Sequence, residues 1–360
     1  MARGRRGTGQ PRAHVTGGGD GYRSPTKPAL APADVARLAA ASFGPGTGVV
    51  ECAELSGGGF AAVWRALLTD GRAVVLKVAP LPAVPLLRYE RGLAAAEAAY
   101  CRLIGAAAPG LPVPALLHHG ADPAVCDSEW LFTTLLPGTA LTELAQADPG
   151  LADAPVRWQL GAAAARQHRI TGPAFGYSGD RPRDASWAAA FTAMVEDLLA
   201  DADTWGVRLP VPAGRIRDLV ARHAAALAAV RRPALVHFDL WDGNVLAAPA
   251  GAAGALGLTG LVDGERSLFA DPLMDFTAAA LFRRIEDEPD HPFLRGYAEE
   301  SGHPPALDVA ALRRLALYRL HLYLLMIVEM PSRGMLGAAH RDRSDFLRGL
   351  LADEAAALAA

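Results

Sequence analysis

Lysine is nearly absent from this 360-residue chain. It occurs only as Lys27 and Lys77, and the other fixed cations are all arginines. Where lysine persists against such a bias, the position needs a compact ammonium group. Lys77 stands in an apolar segment, Val74-Val75-Leu76-Lys77-Val78-Ala79, where an unpaired charge would be costly. The scarcity of lysine therefore marks Lys77 as the first candidate functional residue.

Cysteine is also scarce. Cys52, Cys101 and Cys126 are widely spaced and form no C-x-x-C pair, which argues against a disulfide framework or a zinc–thiolate site. The first residues contain no apolar segment of the secretory type. The longest compact apolar run, residues 322–328, is too short to span a bilayer. We therefore expect a cytoplasmic protein with no membrane partner.

An excess of basic charge is missing as well. The net charge is −3 at pH 7, so nucleic acid is not an expected partner. Residues 1–30 are rich in glycine, proline and arginine and show no periodicity, and we expect a disordered tail there.

The rest of the chain changes character near residue 137. Residues 31–136 combine strand-like and helical segments, whereas residues 137–360 are mainly helical. The predicted fold class is therefore α+β, with a small antiparallel sheet and one main helix followed by a larger helical lobe. Helices are predicted over 34–43, 86–104, 154–169, 186–204, 212–230, 271–285, 308–329 and 343–358, and strands over 49–55, 60–68, 72–79, 113–119 and 130–136, with a strand-and-loop section over 234–263.

The strongest functional motif is His237-Phe238-Asp239-Leu240-Trp241-Asp242-Gly243-Asn244, followed by Asp263 at the end of a later apolar stretch. The spacing H-x-D-x-x-x-x-N with a later aspartate is used for phosphoryl transfer. Asp239 is the candidate base, because a carboxylate can orient an attacking hydroxyl and accept its proton. Asn244 and Asp263 offer the hard oxygen atoms that magnesium prefers. The alternative interpretation is a polar turn between two strands.

Lys77 needs partners, and a helix glutamate is one of them. Strand alternation places Lys77 on one face and its larger apolar neighbours on the other, so nucleotide phosphates and a glutamate are its expected partners. The alternative is an edge-strand lysine that reaches water. Glu97 lies on the apolar stripe of the second predicted helix, where an acid needs a cation. Glu90 is the competing choice, with an exposed pair to Arg88 or Arg91 as its other interpretation.

A glycine-rich segment, Ser56-Gly57-Gly58-Gly59, lies between two predicted strands upstream of Lys77. Glycines let the backbone approach phosphates and direct N–H groups at them. A triple glycine alone is usually a turn, and its position ahead of Lys77 is what favours phosphate binding.

Together these motifs resemble the aminoglycoside phosphotransferase family, a branch of the protein-kinase-like fold. The resemblance covers roughly residues 50–330. It implies a two-lobed enzyme that uses ATP and Mg²⁺ to phosphorylate a hydroxyl of a small molecule. The segment Ala270-Asp271-Pro272 with Asp275 is similar to the family's G-D-P-x-x-D motif, whose second acid commonly braces the catalytic loop. His168 stands where the family often has a histidine, and we interpret it as packing or capping.

The resemblance also implies where the nucleotide lies. Residues 130–138 are similar to the family's interlobe hinge, which places adenine against backbone near Thr133 and Leu135. Residues 31–136 would then be the nucleotide-binding lobe, and residues 137–360 the catalytic and acceptor-binding lobe. Five residues depart from the family pattern. Phe238 replaces the glycine that usually follows the histidine, Trp241-Asp242 replace a common His-Pro, Gly264 stands where the family often has Trp, and Ala270 replaces the glycine of G-D-P. Asp239-Leu240-Trp241 is more similar to the fructosamine (ketosamine) kinases.

The acceptor stays open between three hypotheses. An aminoglycoside or another antibiotic is the first, and a metabolite such as a ketosamine or an amino alcohol is the second. A nucleotide-binding pseudokinase is the third, and the presence of Lys77, Asp239, Asn244 and Asp263 counts against it. Two acidic runs could attract a polycation, although such runs are usually solvated. They comprise Glu196, Asp197, Asp201 and Asp203, and Glu286, Asp287, Glu288 and Asp290.

Overall fold

The computed structural model describes residues 23–55, 58–179, 181–250 and 254–360. They form a smaller lobe around one antiparallel sheet and a larger, mainly helical lobe. In chain order the smaller lobe contains α1 (Pro32–Phe43), β1 (Val49–Glu54), β2 (Ala62–Leu68), β3 (Ala73–Val78), α2 (Leu93–Ala107), β4 (Leu116–Gly120) and β5 (Trp130–Thr134).

The five strands of this sheet run in the order β1-β2-β3-β5-β4, and every neighbouring pair is antiparallel. Alternation along β3 buries Val74, Leu76 and Val78 in a core that also contains Phe132. Lys77 therefore projects from the opposite face, towards α2. This confirms the facial pattern predicted for β3.

The larger lobe holds the remaining elements and two small sheets, of order β11-β10-β6 and β8-β7-β12-β9. The elements are β6 (Thr139–Ala140), α3 (Leu141–Ala147), α4 (Ala154–Gln167), β7 (Phe175–Tyr177), β8 (Arg183–Asp184), α5 (Trp187–Thr204), α6 (Ala213–Arg222), α7 (Ala224–Ala228), β9 (Ala234–Val236), β10 (Val245–Ala250), β11 (Ala255–Leu261), β12 (Leu268–Ala270), α8 (Leu273–Ala279), α9 (Pro292–Ser301), α10 (Val309–Ser332) and α11 (Arg341–Ala359).

Helix α10 is the centre of the larger lobe, because it is buried along most of its length. A helix that is apolar all round belongs inside a core. Helices α4 and α9 pack on each other through glycines. A Cβ on Gly161 would collide with the backbone of Phe293, and one on Gly296 with that of Trp158. The two helix backbones can therefore approach more closely than side chains would allow.

Several boundaries differ from the prediction. The helix predicted over 86–104 starts only at Leu93, because Gly92 takes φ 70 and residues 88–90 form a separate 3-10 turn. The helix predicted over 271–285 ends at Ala279, and Phe282 at φ 65 turns the chain. Elements β6, β7, β8 and β12 are too short for a visible alternation, and α3 and α9 were not predicted.

Residues 23–30 differ from the disordered tail predicted over 1–30. Residues 1–22 lie outside the described residues. Ser24 and Thr26 are buried, and Lys27 pairs with Glu54 at 3.0 Å. Part of the predicted tail is therefore packed on the smaller lobe. Across the described ranges, no helix has both the length and the apolar character needed to cross a bilayer.

Candidate active site

Lys77 lies at the centre of a buried cluster between the lobes. Its Nζ is 2.7 and 2.8 Å from the two carboxylate oxygens of Glu97 on α2. It is also 2.5 Å from Oδ1 of Asp263, which follows β11. The structure thus brings together three predicted site residues from three separate elements. Glu97 rather than Glu90 is the partner of Lys77, as predicted.

The charges in this cluster depend on one another. Burial opposes the charge on Lys77, but Asp263 and Glu97 outweigh it, so the pKa of Lys77 lies well above its ordinary value. Burial also opposes the charge on Asp263, and Lys77 overcomes it, so the pKa of Asp263 lies below its ordinary value. For Glu97 the effect of burial is larger than that of Lys77, so the pKa of Glu97 is raised. The ammonium group therefore remains charged with at least one carboxylate ion beside it.

Asp239 and Asn244 face the same cleft from the loop between β9 and β10. The Nδ2 of Asn244 donates to the backbone oxygen and to Oδ2 of Asp239, both at 3.0 Å. An amide whose nitrogen donates in this way keeps its oxygen available to accept or to bind a cation. Burial raises the pKa of Asp239, while Arg266 opposes the shift from 3.9 Å. Asp239 thus combines a restrained position with increased basicity.

The loop is held from beneath by Asp275. Its carboxylate accepts from the backbone N–H of His237 at 3.1 Å and of Phe238 at 2.7 Å. A ring nitrogen of His168 lies 2.9 Å from the same carboxylate, and its other nitrogen lies 3.1 Å from the hydroxyl of Tyr297. His168 is therefore buried beneath the loop, away from the reacting groups.

Phe238 occupies an unusual backbone conformation with φ 62. This left-handed region favours glycine and costs another residue about 1–2 kcal/mol. The Phe238 ring is fully buried and lies 5.6 Å from the His321 ring. Its packing and the two N–H bonds to Asp275 offset this backbone cost. Phe238 therefore adopts the left-handed conformation that glycine would adopt more easily.

Glu265 was missed as a site residue. It lies two residues after Asp263, and oxygen atoms of Glu97, Asp263 and Glu265 lie within 4.8 Å of one another. Burial and the neighbouring Asp263 raise the pKa of Glu265 to about 8. Three carboxylates this close suit a hard divalent cation. The D-x-E spacing in Asp263-Gly264-Glu265 is the signal that could have identified Glu265.

Arg266 was also missed, and no spacing in the sequence indicates it. Its Nη2 donates to Glu329 on α10 at 2.7 Å, and its Nε lies 3.9 Å from Oδ2 of Asp239. The guanidinium also lies over the ring of Tyr89, 5.7 Å from the centroid. Long-range packing of α10 creates this position.

The structure describes only some of the residues predicted to bind phosphate and adenine. Ser56 and Gly57 lie outside the described residues. Gly58 and Gly59 lead into β2, and the carbonyl of Gly59 accepts from the Thr26 hydroxyl at 3.0 Å. Thr133 is buried within β5. Leu135 follows β5 with its side chain 40% exposed, but its N–H donates to the Ala73 carbonyl at 3.2 Å and is engaged by the sheet.

Four of the eight acidic residues in the two runs that could attract a polycation are paired with arginines. Glu286 accepts from the buried Arg319 at 2.7 and 3.0 Å. The other pairs are Glu288 with Arg283, Glu196 with Arg217, and Asp201 with Arg88. The interpretation of Glu90 as an exposed residue paired to Arg88 or Arg91 is wrong, because Glu90 is buried and lies 2.7 Å from Arg333.

A groove of 440 Å³ lies between the start of α4 and the segment that precedes α9. Arg157 in its wall donates to both oxygens of Asp242 at 3.0 and 2.9 Å, and to Asp153 at 2.8 Å. The remaining wall is of mixed charge and comprises Arg283, Glu288, Pro289, Asp290, His291 and Pro292.

Comparisons with known proteins agree with this geometry. The model of the phosphotransferase enzyme family matches residues 51–318. No curated protein sequence matches the chain.

Solved structures resemble the chain over most of its length. A candidate fructosamine-3-kinase from Thermobifida fusca is 21% identical with a TM-score of 0.64, covering 90% of this chain and 98% of that one. The aminoglycoside phosphotransferase APH(4)-Ia, in a ternary complex with AMP-PNP and hygromycin B, is 16% identical with a TM-score of 0.58, covering 89% and 98%. A candidate aminoglycoside phosphotransferase from Ralstonia eutropha is 14% identical with a TM-score of 0.58, covering 85% and 92%. At these identities the likeness establishes the two-lobed kinase-like fold.

Proposed function

This chain belongs to the phosphotransferase enzyme family, and we propose that it transfers the terminal phosphate of ATP to a hydroxyl of a small molecule in a Mg²⁺-dependent reaction. The observation that carries this proposal is the convergence of Lys77, Asp263 and Asp239 on one cleft. Each comes from a different element, and a kinase needs one cation for phosphates, one metal ligand and one base there. A polar turn between two strands would not require this convergence.

The roles of the residues follow from their surroundings. Lys77, held by Glu97, would bind the phosphates of the nucleotide. Gly58 and Gly59 would bring backbone N–H groups to the same phosphates, together with Ser56 and Gly57. Adenine would lie beside Thr133 and Leu135, at the start of the segment that connects the lobes. An aligned nucleotide and acceptor reduce the entropic part of the barrier.

The residues present fit a magnesium ion, since carboxylate and amide oxygens are its preferred donors. Asp263, Asn244 and Glu265 would hold it, and it would neutralise charge on the phosphates. Asp239 would accept the proton of the acceptor hydroxyl while that oxygen forms its bond to the terminal phosphorus. The bond from this phosphorus to the bridging oxygen breaks, and ADP leaves. Arg266 beside Asp239 would restrain the carboxylate in that position.

The acceptor is a hydroxylated small molecule, with an aminoglycoside or another antibiotic as one class. One observation favours the second class, a ketosamine or an amino alcohol. Half of the acidic residues in the two runs, Glu196, Asp201, Glu286 and Glu288, are paired with arginines, which reduces the negative charge that the runs offer a polycation. A neutral or singly charged sugar derivative needs no such cluster.

The test is Mg²⁺-dependent release of ADP in the presence of aminoglycosides, other hydroxylated antibiotics, ketosamines and amino alcohols. We expect one class to stimulate release, and the Asp239→Asn variant to abolish the stimulation. Asp70→Asn, in the exposed hairpin turn after β2, is the matched control and should behave as the unmodified protein. Nucleotide binding without stimulation by any acceptor would support the pseudokinase alternative instead.

A further inference from the structure

Arg333 occupies a junction that lies outside the residues matched by the family model. It follows α10 directly, and it is only 6% exposed. One of its guanidinium nitrogens lies 2.7 Å from Glu90, in the 3-10 turn ahead of α2. The same nitrogen lies 3.2 Å from Oε1 of Glu329. A single buried side chain thus ties the end of α10 to the segment that precedes the Glu97 helix.

Arg333 also reaches the glycine-rich turn. Its Nη1 donates to the carbonyl of Gly59 at 3.4 Å, and its guanidinium lies over the Phe60 ring, 4.6 Å from the centroid. The planar guanidinium has five N–H donors in a rigid fork, so one arginine can serve acceptors in several directions. Lysine, with one small ammonium group, could not reach all of them.

A second connection runs from Arg333 to the candidate base. Oε1 of Glu329 is shared, because it lies 3.2 Å from Arg333 and accepts from Arg266 at 2.7 Å. Arg266 in turn lies 3.9 Å from Asp239. The alternation of charge along this row makes each member the counter-ion of the next. Removing one arginine would leave buried carboxylates without their partner.

The segment near the start of the chain supports the same turn from the other side. The Thr26 hydroxyl donates to the Gly59 carbonyl at 3.0 Å. Pro25 packs against Gly334, at a distance that leaves little room for a side chain there. The carbonyl of Gly59 therefore has one donor from residues before the family match and one from residues after it.

We propose that Arg333 is a positioning residue that, together with Thr26, fixes the Gly59 carbonyl and Phe60 beside the nucleotide cleft and steadies Asp239 through Glu329 and Arg266. This inference rests on the proposed function, because it concerns the placement of the same nucleotide and base. It assigns a role in the site to two segments that the family match does not include.

The test compares three variants of the full chain. Arg333→Met removes the fork, Arg333→Lys keeps only the charge, and Leu351→Ala removes packing in α11 far from these contacts. Calorimetry gives the Kd of Mg²⁺·AMP-PNP, thermal denaturation gives Tm, and ADP release gives turnover. We expect Arg333→Met to raise Kd about tenfold and to lower turnover, with Arg333→Lys intermediate.

Leu351→Ala should lower Tm while leaving Kd unchanged at a temperature where the protein is folded. Equal changes in Kd for Leu351→Ala and Arg333→Met at matched loss of Tm would overturn the inference, since they would mean a purely structural role. An unchanged Kd in Arg333→Met would overturn it too. The proposed function fails separately, if the unmodified chain does not bind Mg²⁺·AMP-PNP at all.

Thr26 provides a test that does not depend on the folding of the Arg333 variants. Thr26→Val removes the donor to Gly59 with little change in shape, whereas Thr26→Ser keeps a hydroxyl. We expect Thr26→Val to raise Kd and Thr26→Ser to restore it. Because Thr26 and Arg333 share one acceptor, their effects on Kd should be non-additive in the double variant. Strict additivity would contradict a shared action on the Gly59 carbonyl.

Discussion

Two groups of acidic residues in this molecule have opposite surroundings. The cleft carboxylates share Lys77 and Arg266, and burial raises the pKa of most of them. The lobe carboxylates each pair with a different arginine. The cleft carboxylates are Glu97, Asp239, Asp263 and Glu265, and the lobe carboxylates are Glu196, Asp201, Glu286 and Glu288.

This difference teaches that density of acids along the sequence is a poor guide to a cation site. The lobe carboxylates are close neighbours in sequence, yet the fold neutralises them one by one. The cleft carboxylates are up to 168 positions apart and meet only through the fold. Under the proposed function, this incomplete neutralisation would allow the cleft carboxylates to accept an added cation together with a phosphate-bearing ligand.

Removing the charge of Asp239 is the strongest test of the difference between the cleft carboxylates and the lobe carboxylates. Asp239→Asn keeps the shape and the contact with Asn244 but cannot accept a proton. We expect turnover to fall about a thousandfold. The Kd of the nucleotide should stay nearly unchanged, because the role proposed for Asp239 is to contact the acceptor hydroxyl and not the nucleotide. Single-turnover phosphoryl transfer and calorimetry measure the two quantities, and unchanged turnover would remove Asp239 as the base.

The next effect concerns the shared cation. Lys77→Met should lower turnover about a hundredfold, because a charged donor to the phosphates is lost. It also leaves Glu97 and Asp263 facing each other without a counter-ion. Arg65→Met, on the exposed side of β2, is the matched control and should change neither turnover nor Kd. Equal turnover in Lys77→Met and Arg65→Met would show that the reaction does not depend on Lys77.

The pH dependence of Tm tests the surroundings of Glu265, one of the cleft carboxylates. Its pKa is raised from an ordinary 4.5 to about 8, so the folded chain holds this proton more tightly than the unfolded chain. Its contribution to stability is therefore complete below pH 4.5 and is lost as pH rises to about 8. In EDTA, Tm should fall more over this range in the unmodified protein than in Glu265→Gln.

Adding Mg²⁺ should reduce that difference, because a cation favours the deprotonated carboxylate. Parallel Tm profiles for the two proteins in EDTA would show that Glu265 titrates normally. If the addition of Mg²⁺ left the difference between the two proteins unchanged, Glu265 would be removed from the proposed metal ligands.

The smallest effects on activity belong to the lobe carboxylates. Glu286→Gln should cost about 1.5 kcal/mol of unfolding free energy, since it takes one charged partner from the buried Arg319, which keeps Glu354. Glu196→Gln, on the surface, should leave Tm unchanged. Both should keep the turnover and acceptor preference of the unmodified protein. A selective rise in KM for a polycationic acceptor in either variant would place that acceptor on this lobe.

Local patterns predict the parts of the fold that depend on local sequence. Alternation in β3 places Lys77, and helical periodicity places Glu97 on the buried face of α2. The spacing from His237 to Asn244 predicts the loop between β9 and β10 that we propose as the catalytic loop. Each of these features depends on residues within one element or one loop, which is why the sequence alone is sufficient to predict it.

Features that depend on distant contacts could not be predicted in this way. Arg266 and Glu329 are 63 positions apart and meet only because α10 crosses the larger lobe. The helical form of α9 contains Gly296, a poor helix former, and is stabilised by its packing on α4. The positive φ of Phe238 likewise depends on Asp275 and His321, which no local pattern connects to it.

The glycine contact between α4 and α9 has a consequence for the way the molecule moves. Helix α4 ends at His168, which contacts Asp275 beneath the catalytic loop, and α9 carries Tyr297, which contacts His168. Backbones packed this closely cannot slide past each other without breaking the whole interface. We therefore expect the amide protons in the middle of both helices to exchange with solvent mainly when the larger lobe opens as a unit, so that the two helices support the loop above them rigidly.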